Sequence, residues 1–264
     1  MDTLNLKVEA LRCAQFSEFA YKDVKDGYKI NDTSTVVSVI HGENTDTIVY
    51  IIHEALHNNI FIAWRGTESI KDWLTDASIR KVKFFGDNCK LKVHGGFYDC
   101  YSEVRARLLS SLYRQFNNFK ANAVIVTGHS LGGALATISA FDISKNNNIN
   151  KDTALKNICS FTYGSPRVGN FTFKTEYNKV VPNTYRFIHD VDIVPRVPKI
   201  DFRHVAGMGT YVNSNGKIFK WYGTLWSRLS WYLRVFISNI DMESFKDHSI
   251  ADYVKAVEKI DDIS

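Results

Sequence analysis

The hydrophobic pattern along the chain changes period several times, and each change marks an element. Leu4, Leu11, Phe16 and Phe19 fall loosely on one helical face, which predicts an amino-terminal helix over residues 4–20. Residues 35–40, 47–52 and 60–64 are rich in β-branched and apolar side chains and read as strands. His57-Asn58-Asn59 lies between the last two and predicts a hairpin. Val104, Leu108, Leu112 and Phe116 return to helical spacing over residues 104–119. The fully apolar run at 123–127 predicts a strand buried on both faces. Small apolar residues over 131–144 then predict a helix, and residues 158–163 and 184–189 two more buried strands. Asn215-Gly216 between 211–212 and 218–221 signals a second hairpin. Residues 248–260 close the chain as an amphipathic helix. Strands alternating with helices predict an α/β fold, a mostly parallel central sheet with helices on both faces.

Composition narrows this little. Of 264 residues, 45% are hydrophobic and 23% charged, ordinary values for a globular chain, and no repeat or linker divides them. One domain over residues 1–264 is expected. The formal charge of +5 is scattered, with no basic block, so nucleic acid is not an expected partner. Charges interrupt residues 1–22 and no apolar run reaches about 18 residues, so neither a secretory signal nor a spanning helix is read. Cys13, Cys89, Cys100 and Cys159 match no zinc spacing and are expected as free thiols in a reducing, intracellular setting.

Gly128-His129-Ser130-Leu131-Gly132 is a GxSxG motif with a strand directly before it and a helix directly after. A tight strand–turn–helix junction of this kind strains the serine backbone and lifts its hydroxyl off the sheet. Serine is a weak nucleophile until a base takes its proton, and the base needs an orienting acid. On such a sheet the chain order is serine, acid, histidine. Of eight histidines, only His204 and His248 follow the acid candidates Asp190 and Asp192. His248, at a helix start after a charged loop, is favoured over His204 in its apolar run. Asp192, just beyond an apolar strand, is favoured over Asp190, which is nearer the strand end. For the oxyanion, the N–H of Leu131 is the first donor, and Thr67 in the loop FIAWRGTES is the second. Arg65 and Gly66 are read as structural, a buried charge pair and a tight turn.

Six segments in order, AWRGTESIKDWLTD, VHGGFYDCY, VTGHSLGGALA, FTYGSPRVGN, YRFIHDVDIVPRVP and HSIADY, resemble the class 3 or fungal-type lipases of the α/β-hydrolase superfamily. The likeness covers residues 60–255. It carries the nucleophile onto Ser130, the acid onto Asp192, the base onto His248 and the oxyanion role onto Thr67 and Leu131. It implies hydrolysis of carboxylic esters, acylglycerols first, through an acyl-serine intermediate without metal or organic cofactor. Other esters, phospholipids among them, and a non-catalytic scaffold of the same fold are the alternatives.

Four features stand apart. Secreted fungal members carry a signal and disulfides, and neither is read here. Residues 69–85, where those enzymes place a lid, hold Lys71, Asp72, Asp76, Arg80, Lys81 and Lys83, a polar composition for a flap over an apolar cleft. His53-Glu54-Ala55-Leu56-His57 fits HExxH, but it lies between two strands, where a hairpin of solvent-facing residues is expected instead of a zinc site. Finally, residues 221–240 hold three of the five tryptophans, with Arg228 and Arg234 among them. They read as a core helix or as an interfacial helix giving peripheral membrane contact.

Overall fold

The computed structural model describes residues 3–67, 80–86, 89–146, 158–198, 201–206, 209–219 and 247–261. Most of the segment 69–85, where the resembling enzymes place a lid, and all of 221–240, lie outside the described residues.

Ten strands and five α-helices follow in chain order: α1 (Thr3–Phe19), β1 (Ser34–His41), β2 (Ile48–Glu54), β3 (Asn59–Trp64), β4 (Lys81–Lys83), β5 (Lys92–His94), α2 (Gly95–Phe119), β6 (Ala123–His129), α3 (Leu131–Lys145), β7 (Ile158–Tyr163), α4 (Phe171–Val180), β8 (Asn183–His189), β9 (Thr210–Val212), β10 (Ile218–Phe219) and α5 (Ile250–Glu258), these being the elements among the described residues. Eight strands form one sheet in the order β1-β2-β3-β6-β7-β8-β9-β10, and β4 with β5 forms a small separate ribbon. From β3 to β9 the pairings are parallel, and the antiparallel ones fall at the two edges.

Alternation along the strands sorts side chains to two faces. Ile60, Ile62, Trp64, Val124 and Val126 point to the face covered by α2, α3 and α4. Phe61, Ala63, Ile125 and Phe161 point to the other, covered by α1 and α5. The face that α1 buries combines small residues, Ala10, Cys13, Ala14 and Ser17, with the rings of Phe16 and Phe19. The large Leu11 sits at its margin, only partly buried, a difference from the face expected at the sequence level.

Two helices differ from the sequence reading. α2 starts at Gly95 and not near Val104, because the helix-poor Gly95-Gly96 hides a first turn that buries Phe97 and Tyr101. α4 was not read at all. Its signal is Asn170, whose Oδ1 accepts the Phe173 N–H at 2.9 Å as an N-cap, ahead of buried Phe173 and Tyr177.

The HExxH segment forms the β2–β3 hairpin, with His53 paired across to Ile60. Two imidazoles four residues apart on a hairpin do not share a face as they would on a helix. His53 stacks on Phe119 at 3.7 Å, and His57 turns to Glu54. The expectation of solvent-facing residues is corrected at Glu54. Its carboxylate is buried and accepts the N–H groups of Leu56 and His57 at 3.0 and 3.1 Å, closing the turn. Among the described residues no helix is long and apolar enough to cross a membrane.

Asp142, inside α3, ties that helix to α2. It accepts from the Tyr101 hydroxyl at 2.7 Å and from Arg105 Nε and Nη2 at 2.7 and 3.0 Å. Substituting Asp142→Ala leaves a buried phenol and a half-buried guanidinium unsatisfied, at a cost of about 2–3 kcal/mol. Urea denaturation should show a lower midpoint at unchanged slope; a loss below about 0.5 kcal/mol would contradict this role.

Candidate active site

The strands β3, β6 and β7 end level with one another, Trp64 paired with Gly128 and His129 with Tyr163. Ser130 follows directly, between the end of β6 and the start of α3, at φ 58° and ψ −127°. A non-glycine residue holds such a conformation only where its surroundings over-determine it. Here they do. The Ser130 N–H donates to the Tyr163 carbonyl at 2.9 Å, and its own carbonyl accepts from Gly133 N–H at 2.9 Å. A Cβ on Gly128 would overlap the Gly132 backbone, and one on Gly132 would overlap the Trp64 carbonyl. Only glycine permits strand, turn and helix to approach this closely.

The other two side chains come from the far half of the chain. β8 delivers Asp192 to the same rim, fully buried. His248, also buried, sits just before α5, and its Nδ1–H donates to Asp192 Oδ2 at 2.7 Å. Tyr253, on the first turns of α5, donates its hydroxyl to the same oxygen at 2.6 Å. The Val194 N–H donates to Oδ1 at 2.9 Å. Three donors thus hold one buried carboxylate, which orients the imidazole through Nδ1. His248 Nε2 and Ser130 Oγ are both buried, and neither has a hydrogen-bond partner among the described residues.

Gly164, at φ 60°, lies under this pair. A Cβ there would stand 2.8 Å from His248 Cε1 and 2.9 Å from Asp192 Oδ2. His129, next to Ser130, packs its ring 4.5 Å from that of His248 and donates from Nε2 to the His248 carbonyl at 2.7 Å. Its Nδ1 then accepts from the Tyr21 hydroxyl at 2.8 Å. Burial and, after it, the neighbouring His248 hold the basicity of His129 well below that of free histidine, so it stays neutral. Burial and then the Asp192 charge push the Tyr253 phenol well up, so it stays a donor.

The loop after β3 lies against this turn. Gly66 packs on the Tyr21 hydroxyl and the His129 carbonyl, so close approach and not a tight turn explains the glycine. Thr67, half-buried, follows it. Leu131 opens α3, where its N–H precedes the first intrahelical acceptor. Arg65 pairs with Asp46, but Asp46 is 88% exposed, which corrects the expected buried pair to a surface one.

The rival acid and base are engaged elsewhere. Asp190 Oδ2 accepts from the Ser214 N–H and hydroxyl at 3.1 and 2.8 Å. His204 donates from Nε2 to the Pro195 carbonyl at 2.5 Å. Sequence reasoning missed Tyr21, His129, Tyr253 and Gly164. Tyr253 left a signal in the segment HSIADY, where an aromatic with a polar tip follows the histidine on a helix; Tyr21 left none. Among the described residues no cluster of His, Cys, Asp or Glu could hold a metal ion.

Comparison with known proteins bears on this site. The profile of the family described as Lipase (class 3) matches residues 61–202. The chain belongs to the class 3 lipase family. It is 32% identical over 171 residues to a lipase of Rhizomucor miehei, covering 64% of this chain and 46% of that protein. To a secreted mono- and diacylglycerol lipase of Fusarium solani it is 31% identical over 181 residues, 66% of this chain and 50% of the relative. The chain therefore spans about half the length of these curated relatives. The Rhizomucor miehei lipase in its propeptide complex superposes with a TM-score of 0.71 at 27% identity, over 82% of this chain and 70% of that one. The fold is that of the α/β-hydrolases, and its mostly parallel sheet agrees with this.

A methyl group at Gly164 tests how tightly this family member's site is packed. Gly164→Ala should keep a cooperative thermal transition yet slow covalent labelling by a fluorophosphonate at least tenfold, since the added carbon displaces His248 from Asp192. Labelling at the wild-type rate would contradict that packing.

Proposed function

We propose that this chain is a serine hydrolase of carboxylic esters, acting on acylglycerols. The observation that carries this reading is the buried 2.7 Å pair of His248 and Asp192, packed on His129 next in sequence to a strained serine, with the imidazole Nε2 and serine Oγ both unpaired among the described residues. Two buried polar atoms without partners are costly in a structural role. They suit a site where a proton must pass between them and where the hydrogen bond tightens once substrate is seated.

In this mechanism Ser130 Oγ attacks the ester carbonyl carbon as His248 Nε2 takes its proton. Asp192 fixes the imidazole tautomer and stabilises the cation that forms, with Tyr253 and the Val194 N–H stabilising the carboxylate in turn. The N–H groups of Leu131 and Thr67 receive the oxyanion at the start of α3, where the helix dipole favours negative charge. His248 then protonates the departing alcohol oxygen, leaving an acyl-Ser130. Water, deprotonated by the same Nε2, attacks the acyl carbon, and collapse returns the serine and releases a carboxylic acid.

The choice of acylglycerol follows the Fusarium relative, which acts on mono- and diacylglycerols by name. The continuous sheet from β1 to β10 supports one domain over the chain. An intracellular setting is supported by four cysteines outside any disulfide, with Cys13 and Cys159 buried as plain thiols.

Ser130→Ala should reduce turnover on the order of a million-fold, and Asp192→Asn about ten-thousand-fold, with the fold unchanged by circular dichroism. The assay is release of p-nitrophenol from esters of rising chain length, alongside mono- and diacylglycerol emulsions. Comparable turnover by wild type and Ser130→Ala would overturn the proposal, and so would a folded wild type inert on every ester.

A further inference from the structure

A groove of about 480 Å³ lies on the rim where the parallel strands end, apart from Ser130. It is lined by Lys81, Lys90, Lys92, Asn170, Phe171, Thr172, Asp201 and Arg203, four cations against one carboxylate. Asp201 is committed to Lys81 at 2.7 Å. The cations are placed by backbone and not by loose loops. Lys92 is on β5, the Asn170 N–H donates to the Lys92 carbonyl at 2.9 Å, and the Arg203 N–H donates to the Gly169 carbonyl at 2.7 Å. Gly169 bridges Val93 on one side and Arg203 on the other, so three backbone stretches lie side by side.

The lining thus carries a net positive charge, which raises the local potential toward anions. Beside these cations stands Phe171, 69% exposed, more than any other large hydrophobic among the described residues. Phe173, two residues on and so on the opposite side of α4, is fully buried, which turns Phe171 away from the core. Cations around an exposed aromatic ring suit one kind of partner: a lipid surface with anionic headgroups, with the ring at the headgroup–acyl boundary and the lysines on the phosphates. The topology puts this surface on the same rim as the reacting side chains. The segment from Gly164 to Asn170 leaves the end of β7, and that from Asp192 to Arg203 follows the end of β8.

We infer that the groove of Lys81, Lys90, Lys92 and Arg203, with Phe171, is a docking surface for an anionic lipid bilayer. The inference concerns binding and not turnover, and it rests on the hydrolase reading only for what docking would serve. It also differs from the interfacial helix that is one of the two readings of 221–240.

The test is co-sedimentation of full-length Ser130→Ala protein with vesicles of phosphatidylcholine alone or with about one third phosphatidylglycerol; the serine variant spares the lipid from hydrolysis. Each basic residue near such a surface contributes roughly fivefold in affinity, so the mixed vesicles should bind at least tenfold tighter. This preference should fade in half-molar salt. Lys90→Glu/Lys92→Glu should abolish the preference while keeping wild-type turnover of a short soluble ester when Ser130 is present. Phe171→Ala should weaken binding to both vesicles and keep the charge preference. Equal binding to the two vesicle types, undiminished binding by the lysine variant, or capture by soluble polyglutamate in place of vesicles would each overturn the inference. A chain that binds as expected but hydrolyses no ester would sink the catalytic reading alone.

Discussion

Everything at this site depends on how closely backbone approaches backbone around Ser130. Strand β6 turns into α3 within one residue, and that residue has the dihedral angles of a left-turning corner. Such a corner is uphill for serine, so the energy must come from what packs around it. Parallel neighbours on both sides of β6, and an α3 buried along most of its length, supply that packing. Gly128 and Gly132 remove the side chains that would otherwise keep strand, helix and the β3 loop apart. Had any of these carried a Cβ, the turn would open and the hydroxyl would move off the rim.

A second layer of order surrounds the imidazole. On one side the Asp192 carboxylate accepts hydrogen bonds from His248 Nδ1–H, the Tyr253 hydroxyl and the Val194 N–H. On the other, neutral His129 grips the His248 carbonyl and is itself gripped by Tyr21 from just beyond α1. Keeping His129 neutral matters because a second cation 4.5 Å away would oppose the protonated imidazole that the proposed reaction needs. The amino-terminal helix and the last helix, which share no strand, thus meet at one ring and fix it from both ends of the chain.

Much of this was legible in sequence, and the legible parts share a cause. Apolar runs that end in glycine-rich turns mark the parallel strands, and chain order then leaves few histidines and acids to choose from. Those constraints favour His248 over His204 and Asp192 over Asp190, and His248 and Asp192 form a buried pair. What was illegible depends on contacts between distant segments. Tyr21 reaches His129 across 108 residues, and no local pattern announces it. The early start of α2 is hidden by two glycines whose poor propensity is outweighed by burial of Phe97 and Tyr101. The HExxH letters point the other way: a strong motif on paper, dissolved by the strand pairing that carries it.

A structure of the chain after reaction with an organophosphonate tests the arrangement most directly. Phosphorus should be bonded to Ser130 Oγ, its phosphoryl oxygen should accept the N–H groups of Leu131 and Thr67, and His248 Nε2 should face the oxygen that carried the leaving group. Phosphorus on any other residue, or an imidazole turned away from Ser130 with its bond to Asp192 intact, would contradict the account.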